Sequence, residues 1–274
     1  MKKGVLIALD LEGVNNVVGE AYKGLYRGTE EWEKARRQAA LEINAAAEEL
    51  FSLGVERVAL WDNHGGGNNI DPSDVDTRVE LLSVDMSLPR MYFGSEFDTV
   101  FYFGYHAMEG TLGGVLAHTM NSGAVQYYKL NGKYIGEIDM DSYIAASHGT
   151  TSSLFVGGDI ACAQAKRAVP NIITVVTKRE LSRNEAVFRD NEELFCDIKA
   201  GVREALADGT KPQVLTFPAT FEKSFKRVED AAQYLKLLLS YGMEATHPCE
   251  EILGKDAHTV TTKIYTMDDF IRSI

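Results

Sequence analysis

Val5–Leu9 is a continuous apolar run that stops at Asp10, the pattern of a strand buried on both faces. The period then changes. Between Glu30 and Phe51, the residues Trp32, Ala35, Ala39, Ile43, Ala46 and Leu50 recur three and four apart, which predicts a long helix ended by Gly54. Val55–Trp61 is apolar again and reads as a second strand. Strand, helix and strand in that order make a βαβ unit, so these two strands should pair in parallel.

The alternation continues. Asn63–Pro72, with Gly65, Gly66 and Gly67, is a loop; Arg78–Val84 is a short strand and Thr99–Tyr105 an apolar central one. Asn131-Gly132 joins Val125–Leu130 to Lys133–Ile135, a strong hairpin signal. Glu137–His148 reads as a helix. Ser153–Val156, Ile160–Ala168 and Ile172–Thr177 form a second βαβ unit. Glu192–Ala207 is a helix, Val214–Phe217 a strand, Val228–Ser240 a helix, Thr259–Ile264 a late strand and Met267–Ile274 a terminal helix. The expected fold is α/β, a mainly parallel sheet with flanking helices and an inserted hairpin. Residues 1–274 read as one domain, in which the looser alternation after Lys178 leaves room for a smaller second lobe over about 178–274.

Composition narrows the functional classes. Hydrophobic residues at 45% and charged residues at 25% are ordinary for a packed domain. No apolar run is long enough to cross a bilayer. The apolar N-terminal stretch is too short for a signal peptide and has no cleavage site, so a cytoplasmic protein is expected. A net charge of −12 argues against nucleic acid and against an anionic membrane surface. Cys162, Cys196 and Cys249 are widely separated and form no CxxC pair, so neither a disulfide framework nor a thiolate metal site is expected. Any bound metal must be held by histidines and carboxylates.

Those residues fall where such a site would lie. Asp10 ends the first strand and Glu12 follows two residues on. His64 comes just after the second strand, and His106 directly after the Thr99–Tyr105 strand. Ligands of open α/β sheets bind at the carboxyl ends of the strands, so the topology delivers these residues to one edge. Carboxylates brought together repel unless a cation lies between them, and with imidazoles nearby zinc or a similar divalent ion is the natural one. Glu137 opens a helix and can project back to the same edge. Five ligands exceed what one tetrahedral zinc needs and suit two ions sharing a carboxylate. His118 alone is a weak signal, His148 reads as a helix C-terminal residue, and His247 and His258 carry none. Asp62 is a candidate to orient an imidazole. Lys178, Ser182 and Arg183 are polar residues that could face a substrate, with the surface as their default. The Gly65–Gly67 run matches no phosphate-binding pattern.

At these positions the chain resembles the D-aminopeptidase family, the dizinc, self-compartmentalising peptidases of the Bacillus dipeptide-transport type. The matching pieces are Asp10-Leu11-Glu12-Gly13, Asp62-Asn63-His64, Gly104-Tyr105-His106-Ala107, His118-Thr119-Met120 and Gly136-Glu137, with Lys178, Leu181-Ser182-Arg183 and Thr261-Thr262 farther on. They cover nearly the whole chain in order. The resemblance implies two zinc ions per subunit, bridged by Asp10 and completed by Glu12, His64, His106 and Glu137, with His118 as the catalytic histidine. It also implies a homodecamer of two five-membered rings, acting on short peptides with an amino-terminal D-residue. The match is poor from Pro218 to Pro248. Two other functions stay open: a metal-dependent amidase or deacylase for L-peptides or cell-wall fragments, and a non-catalytic ring-forming scaffold.

Overall fold

A computed structural model describes residues 4–21, 23–85, 87–207, 212–246 and 257–274. The first apolar run is β1 (Gly4–Leu9). It is followed by α1 (Glu30–Ser52), capped by the Thr29 side chain, which accepts from the Trp32 amide, and then by β2 (Arg57–Asp62) and the short β3 (Glu80–Leu82). Next come β4 (Thr99–Tyr105), the hairpin β5 (Val125–Leu130) and β6 (Lys133–Ile135), and α2 (Glu137–Ser147). β7 (Thr151–Gly157), α3 (Asp159–Ala168) and β8 (Ile173–Val176) complete the second βαβ unit.

These strands form a six-stranded sheet in the order β3-β2-β1-β4-β7-β8, parallel throughout. The chain runs outward from β1 to β3 in one direction and from β4 to β8 in the other. The strand order therefore reverses between β1 and β4, and the crevice beyond their carboxyl ends is where such sheets bind ligands. Both faces are covered. Val5, Ile7 and Leu9 share a core with Ile43 and Leu50 of α1, whereas Leu6 and Ala8 share one with Ile138 and Ile144 of α2.

The chain beyond β8 divides. β9 (Lys178–Ser182) and β10 (Glu185–Phe188) pair as a separate antiparallel hairpin, with β9 against α3, and α4 (Asn191–Ala207) packs on α1, β7 and β8. The rest, β11 (Ala219–Phe225), α5 (Val228–Ser240), β12 (Ala245–Thr246), β13 (Thr259–Ile264) and α6 (Met267–Ser273), builds a second, antiparallel sheet in the order β12-β13-β11-β5-β6. The Asn131-Gly132 hairpin thus forms one edge of that sheet.

One sequence expectation is corrected here, and one strand was not foreseen. Val214–Phe217 is not a strand: the ladder starts at Ala219, beyond Pro218, where the chain acquires β5 and β13 as partners. A short apolar run has no strand identity without a neighbour to bond to. The reverse error is β9, whose polar Lys-Arg-Glu-Leu-Ser sequence concealed a strand. His247 and Cys249 lie outside the described residues; Cys162 and Cys196 are free thiols. Among the described residues, no helix is long and apolar enough to cross a membrane.

One local feature sets up the site. Gly104 has φ +69°, and a Cβ there would lie 1.9 Å from the Asp10 carbonyl oxygen. The missing side chain lets the turn after β1 lie directly on the end of β4. The Asp10 amide donates to Phe103 O at 2.8 Å and the Gly13 amide to Gly104 O at 2.6 Å.

Candidate metal centre

Asp10, Glu12, His64, His106, His118 and Glu137 line one cleft of about 740 Å³, His106 excepted, whose ring is buried behind it. Asp10 is central. Its Oδ1 lies 2.9 Å from His64 Nδ1, which is also 3.2 Å from Glu12 Oε2. Its Oδ2 lies 3.3 Å from His106 Nε2, which is 3.5 Å from Glu137 Oε1. The two oxygens of one carboxylate therefore face two separate donor sets. The ligand-type atoms of Asp10, Glu12 and His106 fall within 4.8 Å of one another, as do those of His106, His118 and Glu137.

The histidines are fixed in a revealing way. His64 Nε2 is 3.0 Å from Leu25 O, His106 Nδ1 is 3.0 Å from Ala107 O, and His118 Nδ1 is 2.8 Å from Leu116 O. A carbonyl oxygen only accepts, so each of these nitrogens carries the hydrogen. In a neutral ring the other nitrogen then presents a lone pair. For His64 and His106 that lone pair points at carboxylate oxygens. Buried His106 Nε2 makes no well-formed hydrogen bond at all. Lone pair against carboxylate is repulsive unless a proton or a metal cation lies between them. Carboxylates and imidazoles in this mixture suit zinc and related divalent ions.

The electrostatics agree. Burial opposes ionisation of Asp10, yet His106 and His64 hold its carboxyl well below the usual range. Burial also works against a charged His64, but Glu12 and Asp10 raise its imidazolium to about 12. His106 is pushed well above its ordinary value by Asp10 and Glu137, again against burial. Glu137 is lowered, burial being outweighed by His106. Each group is stabilised in its charged form by its neighbours, which is how a cluster of metal ligands behaves while protons stand in for the cation.

Glu137 reaches the site because α2 starts there: Gly136 is its N-cap, and the Met120 amide donates to Glu137 Oε1 at 2.7 Å. His118 stacks on His106, ring centroids 4.0 Å apart and 12° from parallel. Its loop is held by Glu180, which accepts from the Val115 amide at 2.6 Å.

A profile of the D-aminopeptidase family matches residues 1–266. The chain belongs to the D-aminopeptidase family. The membership expected from the motifs is thus borne out, and the match extends through the stretch after Pro218. The D-aminopeptidase of Bacillus subtilis (strain 168) is 27% identical over 180 residues, 65% of this chain and 64% of that relative. The match therefore spans less than two thirds of that relative's length. A solved structure described as a Zn-dependent D-aminopeptidase DppA from Bacillus subtilis, a self-compartmentalizing protease, has a TM-score of 0.82 at 22% identity, covering 98% of this chain and 94% of that one. At that identity the likeness is one of fold.

Other residues sit differently from their sequence expectations. Asp62 touches no imidazole. It accepts from the Asn69 amide, from Asn69 Nδ2 at 2.9 Å and from the Ile70 amide at 3.3 Å, bracing the loop that carries His64. Lys178 is not on the surface but fully buried. Its ammonium donates to the carbonyls of Glu12, Val14 and Val17 at 2.6, 2.9 and 2.5 Å. Burial pulls it down to about 8, against the attraction of Glu180, Glu42 and Glu12. Glu42, which sequence reading passed over, is also fully buried and accepts from the Asn15 amide at 2.8 Å; burial pushes it up to about 7. Its place in a helix otherwise read as amphipathic gave no warning. His148 is the C-cap of α2, as its position indicated.

Proposed function

We propose that this protein is a metal-dependent aminopeptidase that hydrolyses short peptides, with preference for a D-residue at the amino end. The observation that carries the metal is the pair of imidazole lone pairs, on half-buried His64 and buried His106, aimed at the two oxygens of Asp10. The substrate class follows from membership of the D-aminopeptidase family.

In this reading Asp10, Glu12, His64, His106 and Glu137 are the residues that would hold two zinc ions. Bound zinc supplies Lewis acidity toward a peptide carbonyl and lowers the pKa of water toward neutrality. The chain's own residues do the rest. His118, with Nδ1 fixed on Leu116 O, keeps Nε2 free to take a proton from the attacking water and return it to the leaving amine. Trp61, Met91, Phe93 and Met120 line the same cleft with apolar surface beside these polar groups. The acidic net charge of −12 fits neither nucleic acid nor an anionic membrane as partner. One catalytic unit, 1–274, acting in the cytoplasm as a ring-built homodecamer, completes the reading. The assembly is supported by the self-compartmentalizing relative.

The experiment is a panel of L- and D-aminoacyl dipeptides assayed with zinc-loaded protein, together with metal analysis and native mass spectrometry. Cleavage of D-Ala-D-Ala with about two zinc ions per chain is expected. Hydrolysis restricted to L-substrates would sink the D-preference, and less than about one zinc per chain would sink the dinuclear site.

A further inference from the structure

The cleft that holds the acidic cluster is also lined by three guanidinium groups, Arg27, Arg90 and Arg183. They are not equivalent. Arg90 is neutralised by Asp141 through two bonds, Nε to Oδ1 at 2.6 Å and Nη2 to Oδ2 at 2.8 Å. Arg27 gives its Nη2 to the carbonyls of Gly67 and Asn68 and lies over the Trp32 ring at 5.5 Å, bracing the loop after His64. Arg183, like Arg27, has no carboxylate partner among the described residues; what sets it apart is that it is tied beside His118 rather than to the loop after His64. In a chain with 40 acidic residues, a cleft-lining guanidinium without a counter-ion is an unfilled requirement.

Its position is specified. The Leu116 amide donates to Arg183 O at 2.9 Å, and Arg183 Nη1 donates to Ala117 O at 2.6 Å. Both ties lie in the segment that ends in His118, so the guanidinium stands one residue from the imidazole that shares a ligand cluster with His106 and Glu137. In a dipeptide the terminal carboxylate lies one residue from the scissile carbonyl, a span of about 3.8 Å. A substrate carbonyl held at the cluster therefore brings its carboxylate into the neighbourhood of Arg183. The planar fork has donors left over for a bidentate bond.

We infer that Arg183 is a specificity-determining residue that binds the free C-terminal carboxylate of short peptide substrates. The protein is then a reader of both peptide ends: the acidic cluster takes the amino-terminal side and Arg183 the carboxylate, which selects dipeptides over longer or C-terminally blocked chains. This rests on the peptidase reading above.

The test compares a dipeptide with its C-terminal amide, in the wild-type zinc-loaded protein and in R183M and R183K. The pair is D-Ala-D-Ala and its amide, or the L-pair if only L-peptides are cleaved. In the wild type the free acid should have the lower KM. R183M should raise KM for the acid by roughly ten- to a hundredfold, the range of a charge-assisted bond, with kcat little changed and the amide unaffected. R183K should recover part of the loss. Equal rises in KM for acid and amide, an unchanged KM for the acid, or a matched fall in kcat for both would overturn the assignment; the last would reduce Arg183 to a support for the His118 loop. Cleavage of L-dipeptides alone, with the acid and amide still separated by Arg183, would remove the D-preference and leave this inference standing.

Discussion

The ammonium of Lys178 donates to the main-chain carbonyl of Glu12 at 2.6 Å, and the same group gathers the carbonyls of Val14 and Val17. A residue from β9 thus closes the turn that presents Asp10 and Glu12. Lys178→Met keeps the stem's volume but leaves three buried carbonyls without a donor, each costing about 1–3 kcal/mol. A fall in Tm on the order of 10 °C is expected. If the clamp also shapes the metal site, scanning calorimetry should find a smaller gap between metal-free and zinc-loaded Tm than in the wild type. An unchanged gap would confine Lys178 to holding the fold.

His64 and His106 favour protons while no cation is present, His64 up to about 12. A divalent ion can bind only when those protons leave. Zinc binding should therefore release about one proton or more per chain and tighten as pH rises from 6 to 8. Titration calorimetry in buffers of different ionisation enthalpy checks this. Heats independent of the buffer would contradict it.

Glu42 gives a pH signature away from the metal. Burial raises its carboxyl from 4.5 to about 7 in the folded protein. Between those values the folded state holds the proton and the unfolded state does not, so stability is lost as pH rises through that window. The loss is on the order of 3 kcal/mol for a shift of this size. Both donors to the side chain, the Asn15 amide and Gln38 Nε2, use Oε1, which Glu42→Gln retains. E42Q should match the wild type near pH 5 and exceed it in Tm near pH 8. Parallel Tm profiles across this range would refute the assignment.

His118 falls within ligand distance of His106 and Glu137 as well as in the cleft wall. As a proton carrier, His118→Ala should bind the full zinc complement and lose about 10²–10⁴ in kcat. Metal analysis beside the kinetics separates the roles: a lost zinc would make His118 a ligand.

Legibility followed the range of the forces. Thr99–Tyr105, the Asn131-Gly132 hairpin and Val228–Ser240 are found where local pattern put them, because periodicity and turn chemistry act within a few residues. Strand-end reasoning placed Asp10, His64 and His106 on one edge, and the reversal between β1 and β4 is the reason it worked. Asp62 was misread because its partners, Asn69 and Ile70, are backbone and amide groups that spacing does not reveal.

By itself the sequence determined the alternation of elements, the parallel sheet and the inventory of histidines and carboxylates that share its edge. Tertiary structure alone decided the rest. It turned the imidazole lone pairs toward Asp10, buried Lys178 beneath the Glu12 turn, and left Arg183 in the cleft without a counter-ion. Burial and orientation of a polar side chain depend on residues more than a hundred positions away, as Lys178 and Glu12 do, and desolvation acts only once the chain has closed around the group.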